Sequence, residues 1–477
     1  MLKKICVGVI GFVCLFSCGG CAMQESDNVI NCITQTDEVW TTTSESVTEM
    51  PTEMTIKDEA DIETITTDFE TEEFTETNTE EPSPTETTVQ ETETTTLCGE
   101  YVYATSVANI RLAPNTKGNI VGQTEIGREY LCFEKLENGW CHLKINGADV
   151  YCYGKYLSEK PTDKKPYDNP YTYEDMVEDI DRLSAKYEKG FKAEVLGTSY
   201  DDRNIYLLTI GNPDAEKSVF FTASIHGAEY ISSQLAMAQA EYYLDNPGEQ
   251  YDGVSFEQIL DKVCIYILPM VNPDSVAINQ SGFFAIRNPE LRDKLFELEY
   301  NDRWSSNARG VDVNRNFPTS GFGKENASKQ DYSGPSFKYY EGEYAASEKE
   351  TQYIIDFVKS KDNICAYISY HTKGEVIYWN KGQKGDLYKN TSDIVKLIAK
   401  LTGYRNIKDY QLKSGIDYEW AVLEAEIPGC TVEIGDMDSY FPVRQSQWKD
   451  IWTRNREVMI AVTKYAFNRQ IVVYMIK

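Results

Sequence analysis

Histidine is scarce in this chain: 477 residues contain only His142, His226 and His371, so imidazole chemistry has three places to be. Basic residues are also few, 47 Lys and Arg against 76 Asp and Glu, and they form no basic stripe. That balance argues against a nucleic-acid partner. Neither a Walker-type loop nor a GxGxxG turn occurs, which removes the usual phosphate cradles. No internal repeat is found. The apolar run from Ile5 to Phe16 is too short to span a bilayer comfortably.

That run follows Lys3-Lys4 and gives way to small residues, so positions 1–21 read as an export signal. Cys18 in Leu15-Phe16-Ser17-Cys18 and Cys21 in Gly19-Gly20-Cys21 each resemble the lipidated cysteine of a bacterial lipoprotein; simple cleavage is the alternative. Both readings place the mature protein outside the cytoplasm, secreted or lipid-anchored at a cell surface. Residues 22–97 are Thr- and Glu-rich. From Glu25 to Thr96, 21 acidic residues face a single Lys57, so about −20 of the formal −29 belongs to this segment. Such a composition cannot bury enough apolar surface to offset ordering, and reads as a solvated stalk. The acidity therefore says little about substrate.

Between 98 and 160 the pattern becomes short alternating strands, with Asn138-Gly139 and Asn146-Gly147 marking tight hairpins. The succession Asn109-Ile110-Arg111, Gly139-Trp140, Asn146-Gly147 and Gly154-Lys155-Tyr156-Leu157 resembles a bacterial SH3-like domain. That resemblance implies binding to cell-wall peptide or polysaccharide, or a spacer with no ligand. Pro161 to Pro170 is a polar hinge. Twelve cysteines are present, five of them before Ile33, while Cys264, Cys365 and Cys430 sit in apolar strands as small hydrophobes. A two-residue turn at Asn146-Gly147 sets Cys141 opposite Cys152. A disulfide there is expected under oxidising conditions, with Cys98 and Cys132 paired or free; in a reducing habitat all four stay thiols.

Residues 167–477 alternate strands and helices, the pattern of an α/β domain with a mostly parallel sheet. Tyr173–Tyr187 reads as an amphipathic helix, Phe191–Ser199 and Ile205–Gly211 as a hairpin, and Val263–Pro269 as a buried strand. The run Ser218–Ile225 reads as another and ends in His226-Gly227-Ala228-Glu229, after which a helix begins at Ile231. His371 closes a further strand, Ile364–Tyr370. Two strand-end histidines and Glu229 make the His₂Glu donor set of a catalytic zinc with one open position.

Further motifs follow in order: Asn272-Pro273-Asp274, Arg309-Gly310-Val311-Asp312-Val313-Asn314-Arg315-Asn316, and Thr431-Val432-Glu433-Ile434-Gly435. With His-x-x-Glu and the later His371, they resemble the zinc carboxypeptidases of the carboxypeptidase A type, from about Tyr171 to the C-terminus. The resemblance implies a mixed eight-stranded sheet flanked by helices, with one zinc at the strand ends. It implies His226, Glu229 and His371 as metal ligands, and Glu433 as the carboxylate that takes a proton from the attacking water. Asn314 and Arg315 match the pair that grips a substrate carboxylate, and Tyr410 the mobile tyrosine that closes over it. One departure stands out. Where the family often carries a basic residue directly after a tryptophan, this chain reads Trp304-Ser305-Ser306. Arg303 or Arg309 could replace that base, or zinc could carry the oxyanion alone.

Ala308–Asn314, Tyr370–Trp379 and Ile427-Pro428-Gly429 lean towards the bacterial γ-D-glutamyl-meso-diaminopimelate peptidases. The expected substrate is peptidoglycan stem peptide. The alternatives are a surface carboxypeptidase trimming ordinary peptides and, from another class, a catalytically dead wall-binding protein. The complete set of His226, Glu229, His371, Glu433 and Arg315 argues against the last.

Overall fold

The computed structural model describes residues 33–34, 96–97, 99–162, 170–323, 333–379, 382–408, 415–438 and 440–469. The expected signal segment and nearly all of the acidic segment lie outside them, as do Cys98, most of the expected hinge, and Tyr410. One compact unit runs from Gly99 to the C-terminus.

Seven short strands come first: β1 (Glu100–Ala104), β2 (Asn109–Arg111), β3 (Ile120–Gln123), β4 (Glu129–Lys135), β5 (Trp140–Ile145), β6 (Ala148–Tyr153) and β7 (Leu157–Ser158). They pair antiparallel in the order β3-β2-β6-β5-β4-β1-β7. Alternation along each strand sends Val102, Tyr130, Leu143, Ile145 and Val150 into the interior. The β5–β6 register sets Cys141 opposite Cys152, as expected. The bridge itself is not present: Cys132, Cys141 and Cys152 are all buried free thiols. Directly opposed residues stand slightly wide of disulfide geometry, and the Cys141 thiol instead meets that of Cys132 on the neighbouring strand β4.

The larger part of the unit is built on an eight-stranded sheet. Its strands are β8 (Phe191–Thr198), β9 (Asn204–Ile210), β10 (Lys217–Ala223), β11 (Val263–Leu268), β12 (Ile364–Thr372), β13 (Val376–Trp379), β14 (Arg405–Lys408) and β15 (Gly429–Ile434). The order is β8-β9-β11-β10-β12-β15-β13-β14. At its centre β11, β10, β12 and β15 run parallel, while β8 and β9 pair antiparallel, as do β9 with β11 and β13 with β15. The mixed sheet is as expected.

Central strands buried on both faces need apolar side chains in both directions, which is why β10, β11 and β12 read as continuous runs rather than alternating ones. Val219, Phe221 and Ala223 face one layer, made from α1 (Tyr173–Lys186), α2 (Ile231–Asp245), α3 (Phe256–Lys262), α5 (Gly385–Thr402), α7 (Trp448–Asn455) and α8 (Val458–Phe467). Phe220, Cys264 and Tyr367 face the other, made from α4 (Lys349–Lys359) and α6 (Asp417–Leu423). At α1 the reciprocal hydrogen bonds of Thr172 and Asp175 close a capping box.

The β1–β7 sheet is not a loosely hinged neighbour. Its interior merges with Ile278, Phe283, Phe284, Ile286, Leu295, Tyr300, Trp304 and Ala308 of the larger part. Gly122 lies so close to Phe284 that a Cβ there would fall 2.6 Å from the ring. Asn146 Nδ2 donates to Phe284 O (2.9 Å), Arg292 donates to Asn146 O (2.7 Å), and Tyr300 N to Ile120 O (3.0 Å). Burying an aromatic ring such as Phe284 contributes roughly 1.5–3 kcal/mol.

Candidate metal centre and active site

The site lies beyond the carboxyl ends of parallel strands, where α/β sheets usually place their chemistry. β10 ends at Ala223, and Ser224 turns at φ 47°. The chain then extends to His226, and Gly227–Glu229 makes one 3₁₀ turn before α2. Gly227 is required there: a Cβ would come within 2.2 Å of the Ser275 carbonyl, while its N–H donates to Ser275 Oγ at 3.0 Å. Asn272 pins the same turn from the other side. Its Oδ1 accepts from Ser275 N (3.2 Å) and its Nδ2 donates to Ile225 O (3.2 Å). The Asn-Pro-Asp motif is thus a clamp on the histidine loop rather than a source of ligands. Asp274 completes it in a buried group with Ser199 (2.7 Å) and Arg203 (2.9 Å).

Glu229 is the hub. Its Oε1 lies 3.0 Å from His226 Nδ1 and its Oε2 lies 2.9 Å from His371 Nδ1. Oε2 also accepts the Thr372 N–H at 3.2 Å. The two imidazoles meet edge-on with centroids 5.0 Å apart. One donor atom from each of His226, Glu229 and His371 lies within 4.8 Å of the others, and among the described residues no other group of acids, histidines and cysteines does this. Two imidazole nitrogens and a carboxylate converging on one point suit a single zinc ion.

Electrostatics point the same way. Burial disfavours charge on Glu229, but the two imidazoles outweigh it and bring its pKa down to about 2. Burial likewise opposes protonation of His226, yet Glu229 and Asp312 hold its pKa up at about 10. The pocket is built to hold positive charge.

Asp312 stands inside the Val311-Asp312-Val313 motif, whose pattern alone assigns it no role. Its Oδ1 receives His226 Nε2 at 3.2 Å and Asn314 N at 3.1 Å, while Oδ2 receives Tyr339 N at 2.9 Å. Buried beside Arg315 and His226, its carboxyl stays well below the usual range despite desolvation. A carboxylate on the far nitrogen of a metal-binding histidine fixes the ring and raises its basicity. An acid inside Val-Asp-Val was the available signal, since an unpaired charge there would be costly.

Glu433 on β15 is the register partner of His371 on β12, so both project at the same level of the sheet. Burial raises its carboxyl to about 7, against the pull of His371 and with the push of Glu229. Asn314 is more occupied than expected: Nδ2 donates towards His371 Nε2 (3.3 Å) and Oδ1 accepts from Asp417 N (2.9 Å). Arg315 NH1 donates to Asn314 O at 2.5 Å, and its guanidinium lies over the Tyr339 ring. Arg309 points into a group of its own, bonding Tyr200 OH (3.1 Å) and Glu348 Oε1 (3.4 Å). None of those partners belongs to the metal set, so the expectation that Arg309 meets substrate gains no support. Arg303 is exposed, and Trp304 is buried edge-on against Phe283 at 4.9 Å.

Comparison with known proteins agrees with this geometry. The family model described as zinc carboxypeptidase matches residues 176–458. Gamma-D-glutamyl-L-diamino acid endopeptidase 1 of Lysinibacillus sphaericus is 28% identical over 281 residues, covering 58% of this chain and 68% of that protein. Carboxypeptidase A1 of Bos taurus is 26% identical over 309 residues, covering 60% and 70%. Among solved structures, thrombin activatable fibrinolysis inhibitor superposes with a TM-score of 0.50 at 20% identity, over 63% of this chain and 76% of that one. That similarity shows a shared fold.

Proposed function

The chain belongs to the zinc carboxypeptidase family, and from that premise we propose that this zinc-dependent peptidase cuts peptidoglycan stem peptides at a γ-D-glutamyl–diamino acid bond. The observation that carries the substrate is the similarity to an endopeptidase named for that linkage. The export-type N-terminus and the β1–β7 unit, read as SH3-like, support it, since both suit an enzyme that works at a cell wall. Attachment there is through wall binding, with the membrane touched only by a lipid at Cys18 or Cys21.

His226, Glu229 and His371 would hold the metal, and a zinc ion bound there would supply Lewis acidity. Glu433 accepts the proton as water attacks the carbonyl carbon and delivers it to the amine nitrogen as the C–N bond breaks. Its raised pKa suits a group that must both take and give a proton near neutrality. Arg315 offers a planar fork to a substrate carboxylate. Asp312 and Asn314 position the two imidazoles, on the hydrogen bonds described above.

A second reading, trimming of ordinary peptides from the C-terminus, is favoured by the similarity to carboxypeptidase A1. Digesting a stem tetrapeptide and a plain peptide side by side with mass readout separates the two. Release of the diamino acid portion from the stem peptide alone supports our reading. Release of single C-terminal residues from the plain peptide alone overturns it. Loss of both activities in a zinc-loaded, folded protein would leave the wall-binding role.

A further inference from the structure

We propose that Lys338 and Tyr339 extend the carboxylate site at Arg315, so that Lys338 binds a second carboxylate of the substrate. This rests on the stem-peptide reading and sharpens it.

The Tyr339 ring carries two cations. The Arg315 guanidinium stands 5.5 Å from its centroid and the Lys338 ammonium 4.5 Å, with Lys338 also 5.1 Å from the Phe337 ring. Among the described residues neither Arg315 nor Lys338 closes an ion pair, although Arg315 acts through space on the buried Asp312 and the chain has a large excess of acids. Arg315 Nε is buried without a hydrogen-bond partner. A donor in that state normally has a partner in the working protein. Two neighbouring cations that share one ring and close no ion pair, one of them next to the Asp312 carboxylate that holds His226, are placed to receive a substrate anion.

The backbone holds this arrangement in place. Tyr339 adopts φ 69°, costly for a residue with a bulky side chain. Its N–H is fixed by Asp312 Oδ2 at 2.9 Å, and the other oxygen of that carboxylate is bound to His226. Ser336 Oγ donates to Lys338 O at 2.7 Å, anchoring the turn from its other end. The ring between the cations is therefore tied through one carboxylate to a metal ligand, which anchors the platform on which both charges rest.

The chemistry of the proposed substrate offers both charges a partner. A γ-linked glutamyl residue keeps its α-carboxylate free, two methylenes from the scissile carbonyl. A terminal dicarboxylic diamino acid adds two more on the amine side, its own α-carboxylate and a distal one. Arg315 provides the planar fork for one carboxylate, and Lys338, a point charge on a flexible stem, answers the second.

The test uses the full zinc-loaded chain, the Lys338→Met and Lys338→Arg variants, and three peptides. These are L-Ala-γ-D-Glu-diaminopimelate, the same peptide with the glutamyl α-carboxyl amidated, and the same peptide with lysine replacing diaminopimelate. Lys338→Met should raise KM on the first peptide by about ten- to a hundredfold, the scale of one charge-assisted hydrogen bond. The loss should be much smaller on whichever of the other two lacks the carboxylate that Lys338 holds, and this identifies its source. Lys338→Arg should recover most of the loss. An equal factor on all three peptides, or no loss on any, overturns the proposal. If wild-type enzyme cuts none of them, the stem-peptide reading falls on its own. Plain peptides ending in Glu and in Gln then carry the same comparison, with the Glu peptide expected to lose more and equal losses refuting the role.

Discussion

Replacing Asp312 by Asn keeps the size of the side chain and removes one charge. In the folded protein that carboxylate serves three donors: His226 Nε2 at 3.2 Å, Asn314 N at 3.1 Å and Tyr339 N at 2.9 Å. An amide has one oxygen. Aimed at His226 and Asn314, it leaves its NH₂ facing the Tyr339 N–H, donor against donor. Flipped, it opposes His226 and Asn314 instead. Either way a buried donor loses its acceptor, which costs about 1–3 kcal/mol. The imidazole also loses the carboxylate that raises its basicity, and outer partners of this kind are worth about 10–100-fold in metal affinity. Asp312→Asn should therefore weaken zinc binding by about 1.4–2.7 kcal/mol in Kd, measured by competition with a chromophoric chelator. Its thermal melt should remain cooperative and fall by a few degrees. A zinc Kd within about twofold of wild type, in a folded variant, would show that Asp312 neither orients nor polarises His226.

Glu433→Gln should keep zinc at one equivalent and the melt intact while kcat falls by at least about 10²; a variant retaining half the wild-type rate would remove Glu433 from the proton path. Arg315→Ala should raise KM far more for peptides with a free C-terminal carboxylate than for their amides, and equal losses would make it structural. Glu350, buried beside Glu348 and Asp274, tests the surrounding packing by pH. Burial above all, with those two acids, lifts its carboxyl from the ordinary value to about 8, and its Oε1 has no hydrogen-bond partner. A folded pKa above the unfolded one means that the native state holds the proton more tightly. Its contribution is full below the unfolded pKa, near 4.5, and is lost as pH rises through about 8. Glu350→Gln, neutral throughout, should melt close to wild type at pH 5 and clearly higher at pH 9. Equal melting at both would place the Glu350 carboxyl near its unfolded pKa.

The parts of this molecule that can be read in the sequence share a physical cause. β10, β11, β12 and β15 are covered on both faces, so their apolar runs admit no other reading, and the motifs follow where those runs stop. His226 and His371 are found because imidazole is rare here and strand ends are where it can act. Roles set by partners distant in the chain are less visible. Arg309 sits inside a motif that resembles a substrate site, yet it pairs with Glu348, 39 residues on. Asn314 reads as a substrate group, and only the structure adds that His371 and the first turn of α6 lie against its amide. Asp312 looks like one more polar residue in a loop until three donors converge on it. The hairpin turn fixes Cys141 opposite Cys152, but whether opposed thiols join depends on side-chain geometry that a pattern does not specify.

The β1–β7 unit shows how such hidden packing bears on function. A Thr/Glu-rich stretch before it and a polar segment after it suggest a module that could be moved about freely. Its core, however, continues into Phe283, Phe284, Trp304 and Ala308. Only a few residues separate Ala308 from Asp312, Asn314 and Arg315. Asn307 lies between the two regions: its Oδ1 accepts from Arg309 N and Val311 N, and its Nδ2 donates to Glu348 Oε2 at 2.7 Å. The loop that carries Asp312, Asn314 and Arg315 is thus braced on one side by the acidic start of α4 and on the other by the shared core. A unit of about sixty residues has too little interior to be strongly stable alone, and sharing its core with the catalytic part offsets that deficit. The same sharing fixes the ground under Asp312. Anything that bound the β1–β7 unit would therefore be held at a set distance and angle from the metal centre.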